Sequence, residues 1–143
     1  MFRLDPVFER LSRPLASLAL CEARLMDDAR FPWLVLAPRR DGAVELEDLA
    51  GADRGQLMAE IVAAGRAARA VGEALARPVA KLNVGQLGNL TRQLHVHVVG
   101  RREDDPCWPG PVWGQGAAAP YRPIDLERAM DAAGRRLAEA DRR

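Results

Sequence analysis

An excess of charge, a set of cysteines and a long hydrophobic run are all missing from this sequence. Lys and Arg together number 21 and Asp and Glu 20, giving a formal net charge of +1. So balanced a chain lacks the broad positive field with which proteins hold nucleic acid, and no nucleic-acid partner is expected, although a small local anion site remains open. Cys21 and Cys107 are the only cysteines, too few and too far apart in sequence for a disulfide framework. A reducing cytoplasm is the simplest setting for them. Apolar runs such as Leu18-Ala19-Leu20 fall far short of the roughly 20 residues of a membrane span. The opening residues, MFRLDPVFERLSRP, place charges and proline where a signal peptide has its apolar core. The expectation is a soluble cytoplasmic protein without a membrane partner. No repeat or linker is visible either. The 143 residues, 48% hydrophobic and 29% charged, fit a single domain over 1–143.

Periodicity sketches the elements. Residues 2–13 read as a helical or irregular lead-in that starts at Asp5-Pro6 and is ended by Pro14. Residues 15–26 are the first strand candidate and the apolar run 31–37 the second, joined through the polar turn 27–30 as an antiparallel hairpin. Pro38-Arg39-Arg40-Asp41-Gly42 is a turn, followed by a short mixed edge segment over 44–49. The clearest helix is 53–76, where Leu57, Ile61, Ala64, Ala68, Val71 and Leu75 fall on one face and Arg54, Glu60, Arg66, Arg69 and Glu73 decorate the rest. Gly65 and Gly72 weaken it by about 1 kcal/mol each relative to Ala, which implies that another backbone packs closely there. A strand over 79–84, a loop over 85–91 and a strand over 92–101 follow. The Pro- and Gly-rich loop beyond carries Trp108 and Trp113, both read as packing, and Cys107, read as structural. A second helix spans 124–140, with Leu126, Met130, Ala133 and Leu137 on one stripe. The expected class is α+β, an antiparallel sheet with one long helix packed on it and a C-terminal helix. Its core covers about 15–110, and a C-terminal loop and helix cover 111–143.

Histidine is as scarce as cysteine, and both copies sit together. Leu94, Val96 and Val98 alternate with Gln93, His95 and His97. That period of two puts Gln93, His95 and His97 on one face of a strand, roughly 7 Å between successive positions. Paired imidazoles suit phosphate chemistry: one attacks phosphorus while its neighbour stays protonated, stabilising charge or donating a proton. The preceding loop offers Gly85, Gly88 and Asn89, whose backbone N–H groups and amide can approach an anion, and Asn83 can reach the same pocket. Two other readings stay open at this level. The histidines can be solvated or bonded to backbone, or they can bind a metal. Zinc would need further ligands, for which Cys107, Asp104 and Asp105 are the nearby candidates. The pairs Arg39-Arg40 and Arg101-Arg102 read as solvated edges.

The run from Asn83 through Gln93-Leu94-His95-Val96-His97-Val98-Val99 resembles the histidine triad (HIT) superfamily, whose pattern is three histidines separated by apolar residues, with an upstream Asn. Met26-Asp27-Asp28 followed by Phe31-Pro32-Trp33-Leu34-Val35-Leu36-Ala37-Pro38 looks like that family's acidic turn and following strand. Cys107-Trp108-Pro109-Gly110 resembles its tryptophan-containing tail. The Gln-x-His-x-His variant is similar to a bacterial subgroup. The resemblance implies a HIT-like antiparallel sheet of about five strands, a homodimer and no cofactor or metal. It implies a hydrolase or transferase acting on the α-phosphate of a nucleotide, either a dinucleoside polyphosphate or a nucleoside phosphoramidate, through a covalent nucleotidyl-histidine. His95 falls on the nucleophile and His97 on the group that contacts the phosphate and helps the leaving group. Asn83 and Asn89, with Gly88 beside it, fall on phosphate contacts. Asp27 or Asp28 falls on the residue that holds the ribose, and Leu25 and Phe31 on the wall of the base.

The departures are specific. Gln93 stands at the first triad position, where it can orient a neighbour but cannot titrate near neutral pH. Trp33 stands where many members have histidine, and Leu90 where Ser or Thr often touches phosphate. The alternative expectation is therefore a nucleotide-binding module with little or no turnover because Gln93 replaces histidine.

Overall fold

Alternation along five strands sorts the side chains into a face that packs on helices and a face that carries the histidines. The computed structural model describes residues 1–140 and 142. Its elements, in order, are α1 (Pro6–Leu11), β1 (Ser12–Ser17), β2 (Cys21–Met26), β3 (Trp33–Pro38), a 3-10 turn (Leu46–Asp48), α2 (Gly51–Ala74), β4 (Lys81–Gly85), β5 (Val96–Arg101) and α3 (Pro123–Ala140). The strands form one antiparallel sheet in the order β1-β2-β3-β5-β4. Leu34 pairs with Val98 and Leu25 with Leu34, so these face the same way and meet α2. Trp33 pairs with Val99, Val35 with His97, and on the other side Asn83 pairs with Val99 and Gly85 with His97. Those residues share the opposite face. The fold is the expected α+β sheet with a long helix and a C-terminal helix. No described helix is long and apolar enough to cross a membrane.

Several local expectations need correcting. Residues 15–26 are two strands, not one: β1 ends at Ser17 and β2 begins at Cys21. No Gly or Pro marks the break, because a distant side chain supports it. The Glu60 carboxylate, on α2, accepts hydrogen bonds from the backbone N–H groups of Leu20 (2.7 Å) and Cys21 (2.9 Å) and from Gln56 Nε2 (2.9 Å). Glu60 was assigned to the outer face of the helix, yet it is buried. Burial, together with this carboxylate, pushes the Cys21 thiol far up. Pro14 lies inside the edge strand β1, where a missing N–H is tolerated, and the register shifts between Pro14 and Ala16. The segment 44–49 holds the 3-10 turn and no strand.

The buried face of α2 is wider than the predicted stripe. Glu60, Gly65, Ala67 and Gly72 join Leu57, Ala64, Ala68 and Val71, because α3 packs along α2 as the sheet does. The two helix glycines differ in kind. A Cβ on Gly65 would meet the flexible tip of Leu82 at 2.8 Å, whereas one on Gly72 would lie 2.6 Å from the Arg77 carbonyl oxygen. Gly72 is therefore where a second stretch of backbone closes on the helix. Ala at either position gains about 1 kcal/mol of helix propensity. Gly72→Ala is expected to destabilise the protein by a net 1–3 kcal/mol, since backbone must move. Gly65→Ala should stay within about 1 kcal/mol of wild type. Urea unfolding midpoints of the two variants check the ranking.

Candidate functional site

The two imidazoles lie side by side, ring centroids 4.8 Å apart and planes at 87°. Both are buried, His95 to 3% and His97 to 8% relative exposure. His95 immediately precedes β5. Its Nδ1 lies 2.6 Å from the Gln93 carbonyl oxygen, and a carbonyl can only accept, so Nδ1 carries the proton and Nε2 keeps its lone pair. Phe8 of α1 packs edge-on against the ring at 4.9 Å. His97 is on β5, and its Nδ1 accepts a hydrogen bond from Trp33 Nε1 at 3.0 Å. Burial, then the adjacent His95, push the His97 pKa down from 6.5 to about 3. The expected protonated neighbour is therefore a neutral one. Trp113 stands against His97 at 5.8 Å and against Trp33 at 6.4 Å. It fits because Gly85 has no Cβ: one would lie 2.9 Å from the indole.

Arg101 organises the far end of the same face. It was read as a solvated edge, yet its side chain is only 1% exposed. Its guanidinium binds both oxygens of Asp105 at 2.8 and 3.0 Å, donates to Asn83 Oδ1 at 2.7 Å, and lies over the rings of Phe31 and Trp108. Burial alone would raise the Asp105 carboxyl, but Arg101 and the N–H groups of Arg102 and Cys107 hold it below the ordinary carboxylate range. Arginine cannot accept a hydrogen bond, so the Asn83 amide is fixed with its NH2 as the end left for another partner.

The other residues expected from sequence divide. Asp27 and Asp28, with Arg10, Met26, Trp33 and Val112, line a cavity of about 320 Å³ that does not include the histidines but shares with them Trp33, which bonds His97. Asp28 is closed off: Arg30 binds both its oxygens, and the Ala119 N–H donates to it. Asp27 holds the Tyr121 N–H and the half-exposed Arg13. Phe31 belongs to the apolar cluster of Trp33, Val99 and Val112, while Leu25 faces the helix side. Gly88 and Asn89 stand apart, lining a surface cavity with Glu45, Gln86 and Arg92. Gln93 lies outside β5, and among the described residues its amide bonds only the N-terminal segment. Oε1 accepts from the Asp5 N–H at 2.9 Å and Nε2 donates to the Arg3 carbonyl at 2.7 Å. Asp5 in turn caps α1 through the Val7 N–H, so Gln93 holds the helix that sets Phe8 on His95. Among the described residues no group of three or more His, Cys, Asp and Glu is arranged to hold a metal ion.

Phe8, Trp33, Trp113 and Arg101 are the site residues that sequence reasoning did not assign. Trp33 had a usable signal: in a β3–β5 pairing with Val35 opposite His97, it sits diagonal to that histidine. Phe8 had none, because it arrives through a six-residue helix far away in sequence.

Comparison with known proteins gives a consistent result. The HIT domain family model matches residues 9–104. No curated protein matches the chain. A histidine triad (HIT) protein from Sinorhizobium meliloti is 41% identical with a TM-score of 0.83, over 98% of this chain and 97% of that one. A histidine triad protein from Bradyrhizobium japonicum is 36% identical with a TM-score of 0.85, over 95% and 98%. One from Marinobacter aquaeolei is 31% identical with a TM-score of 0.87, over 98% of both.

Two outcomes follow from this geometry. Gln93→Ala removes both bonds to the N-terminal segment and is expected to cost about 1–3 kcal/mol, with faster amide hydrogen exchange at residues 5–11 than elsewhere. Exchange that is uniform along the chain would mean that Gln93 does not secure α1. For acid stability the sign is set by His97. Unfolded, it takes its proton near pH 6.5, and folded only near 3, so between these values the unfolded chain binds more protons. The contribution is fully present above about 6.5 and is lost as pH falls toward about 3. His97→Gln should flatten the acid limb of stability against pH by up to about 1.4 kcal/mol per pH unit, measured as unfolding free energy.

Proposed function

The chain belongs to the HIT domain family, which supports a nucleotide-binding hydrolase or transferase at the level of the superfamily, and we propose that His95 is its nucleophile. The observation that carries this is the Nδ1 bond to the Gln93 carbonyl. With Nδ1–H held there, Nε2 is the nitrogen free to attack, and the positive charge that develops on the ring is stabilised by that same carbonyl.

Nε2 bonds to the α-phosphorus of a nucleoside phosphoanhydride or phosphoramidate, and the bond from phosphorus to the leaving group breaks. Water then attacks the phosphorus, the N–P bond breaks, and the nucleoside monophosphate is released with His95 restored. His97 and the NH2 of Asn83 hold the non-bridging oxygens. Asn89 and Gly88 serve the phosphate only if their loop swings in from its surface cavity. The nucleoside fits the cavity of about 320 Å³ beside Trp33. There Asp27 can exchange Arg13 for the ribose hydroxyls, whereas Asp28 is tied to buried contacts. Phe8 covers His95, so attack requires α1 to move aside.

That cover, and a neutral His97 that can donate a hydrogen bond but has no second proton to transfer to a leaving group, favour a second reading in which the pocket binds a nucleotide with little turnover. One experiment separates the two. The protein is incubated with diadenosine polyphosphates and adenosine 5′-phosphoramidate, and the quenched samples are examined by mass spectrometry. The nucleophile reading expects a nucleotidyl adduct on His95 and at least about a thousandfold loss of turnover in His95→Ala. Micromolar AMP binding by calorimetry without adduct or turnover selects the binding module. Gln93→His then tests whether a third imidazole raises the rate.

We also propose a homodimer joined at the β4 edge, where Val84 is exposed beside α2 with its exposed Met58 and Val62. Light scattering should give twice the 15.7 kDa chain mass, and Val84→Asp should shift it toward monomer.

A further inference from the structure

Trp33 stands where the His pair meets the nucleoside cavity, and its indole N–H is aimed at an imidazole nitrogen, not at solvent or backbone. The Nε1–Nδ1 distance is 3.0 Å, the rings are edge-to-face at 5.5 Å, and both residues are buried to 8% exposure. An indole N–H can only donate. The Nδ1 of His97 must therefore be bare, and the single proton of the neutral ring lies on Nε2. An imidazolium here would set N–H against N–H at hydrogen-bond distance between two buried rings.

We propose that Trp33 is a positioning residue that locks His97 as the neutral, Nε2-protonated tautomer, and that this lock selects substrates whose leaving group departs as an anion. The selection rests on the nucleotidyl-histidine reading; the lock does not. His97 can offer Nε2–H as a hydrogen bond to a phosphate oxygen, but it has no second proton to transfer. A phosphate or nucleotide leaving group carries away the electron pair of the broken P–O bond and needs no proton. An amine leaving from a P–N bond must be protonated, and water has to supply that proton. Surroundings reinforce the lock. β3 presents Trp33 and Val35, β4 presents Gly85 and the loop after β5 presents Trp113, none of which titrates. His95 is the one titratable neighbour in ring contact among the described residues. The burial and the neighbouring imidazole that lower the His97 pKa act in the same direction.

The test reads the tautomer directly, without turnover. Protein labelled with 15N at histidine is followed by the nitrogen shifts and two-bond couplings of both rings from about pH 5 to 8. The expected wild-type result is His97 fixed with Nε2–H and no titration across that range. Trp33→Phe keeps the aromatic volume and removes the donor. It should lose the single tautomer, with a midpoint rising toward the ordinary value of about 6.5. A wild-type His97 protonated at Nδ1, or an imidazolium near neutrality, overturns the lock even if the variant fails to fold. An unchanged spectrum in folded Trp33→Phe overturns it as well. Where adducts form on His95, wild type should cleave a nucleoside phosphoanhydride faster than the phosphoramidate, and Trp33→Phe should narrow that ratio. A ratio that does not move sinks the selection while leaving the nucleophile reading intact.

Discussion

The register of β5 between β3 and β4 is the constraint on which the rest of the molecule depends. Both faces of β5 are buried, one against α2, the other against Trp33, Phe31 and the loop that carries Trp113. Val96 and Val98 belong to the first and His97, Val99 and Arg101 to the second. A slip of one residue would drive His97 and Arg101 into the helix-packed core and turn two valines toward the site. The same pairing sets Val35 and Gly85 on either side of His97. Both are small enough to leave room for the indoles of Trp33 and Trp113. Chemistry and core are therefore specified together, and a valine that packs the helix is also what aims an imidazole.

How much of this could be read from sequence follows from the range of the interactions. Elements fixed by local periodicity were legible: α2, the hairpin of β2 and β3, the cap of α1 by Asp5, and the second half of the expected strand 92–101, of which only Val96–Arg101 is strand and His95 precedes it. The same-face pair of His95 and His97 was legible because alternation requires it. The break between β1 and β2 was not, since the carboxylate that supports it comes from Glu60, about 40 positions away. Charge at Glu60 and Arg101 argued for solvent, and buried partners reversed that in each case: two backbone N–H groups for Glu60, and Asp105 with Asn83 for Arg101. The bond between Trp33 and His97 spans 64 positions and needs the strand order, which no local pattern supplies.

The two imidazoles do not play interchangeable parts. Backbone fixes His95 and a side chain fixes His97, and they are held with opposite polarity. His95 donates its Nδ1–H to a carbonyl and leaves Nε2 facing away from it, while His97 accepts a hydrogen bond at Nδ1 and keeps a donor at Nε2. A base and a donor side by side is the arrangement needed to bind an anionic phosphate and attack it. His97 contributes its donor as a neutral ring, which matters because a buried imidazolium would need an anion to compensate it.

Gln93 fits the same logic. The segment it holds presents one N–H, from Asp5, and one carbonyl, from Arg3. A single side chain must accept from the first while donating to the second. A carboxylate can do only the former and an ammonium only the latter. A neutral imidazole has both functions, but they point away from each other across the ring, and the acceptor is lost on protonation. A primary amide carries donor and acceptor at one end and does not titrate. Glutamine thus gives a clasp that is indifferent to pH, two residues before His95. The clasp keeps α1, and with it Phe8, on His95, so a non-titrating amide also shields the His95 ring from water. Access to His95 is then governed by two neutral hydrogen bonds, together worth about 1–3 kcal/mol, which is within reach of the binding energy of a nucleotide.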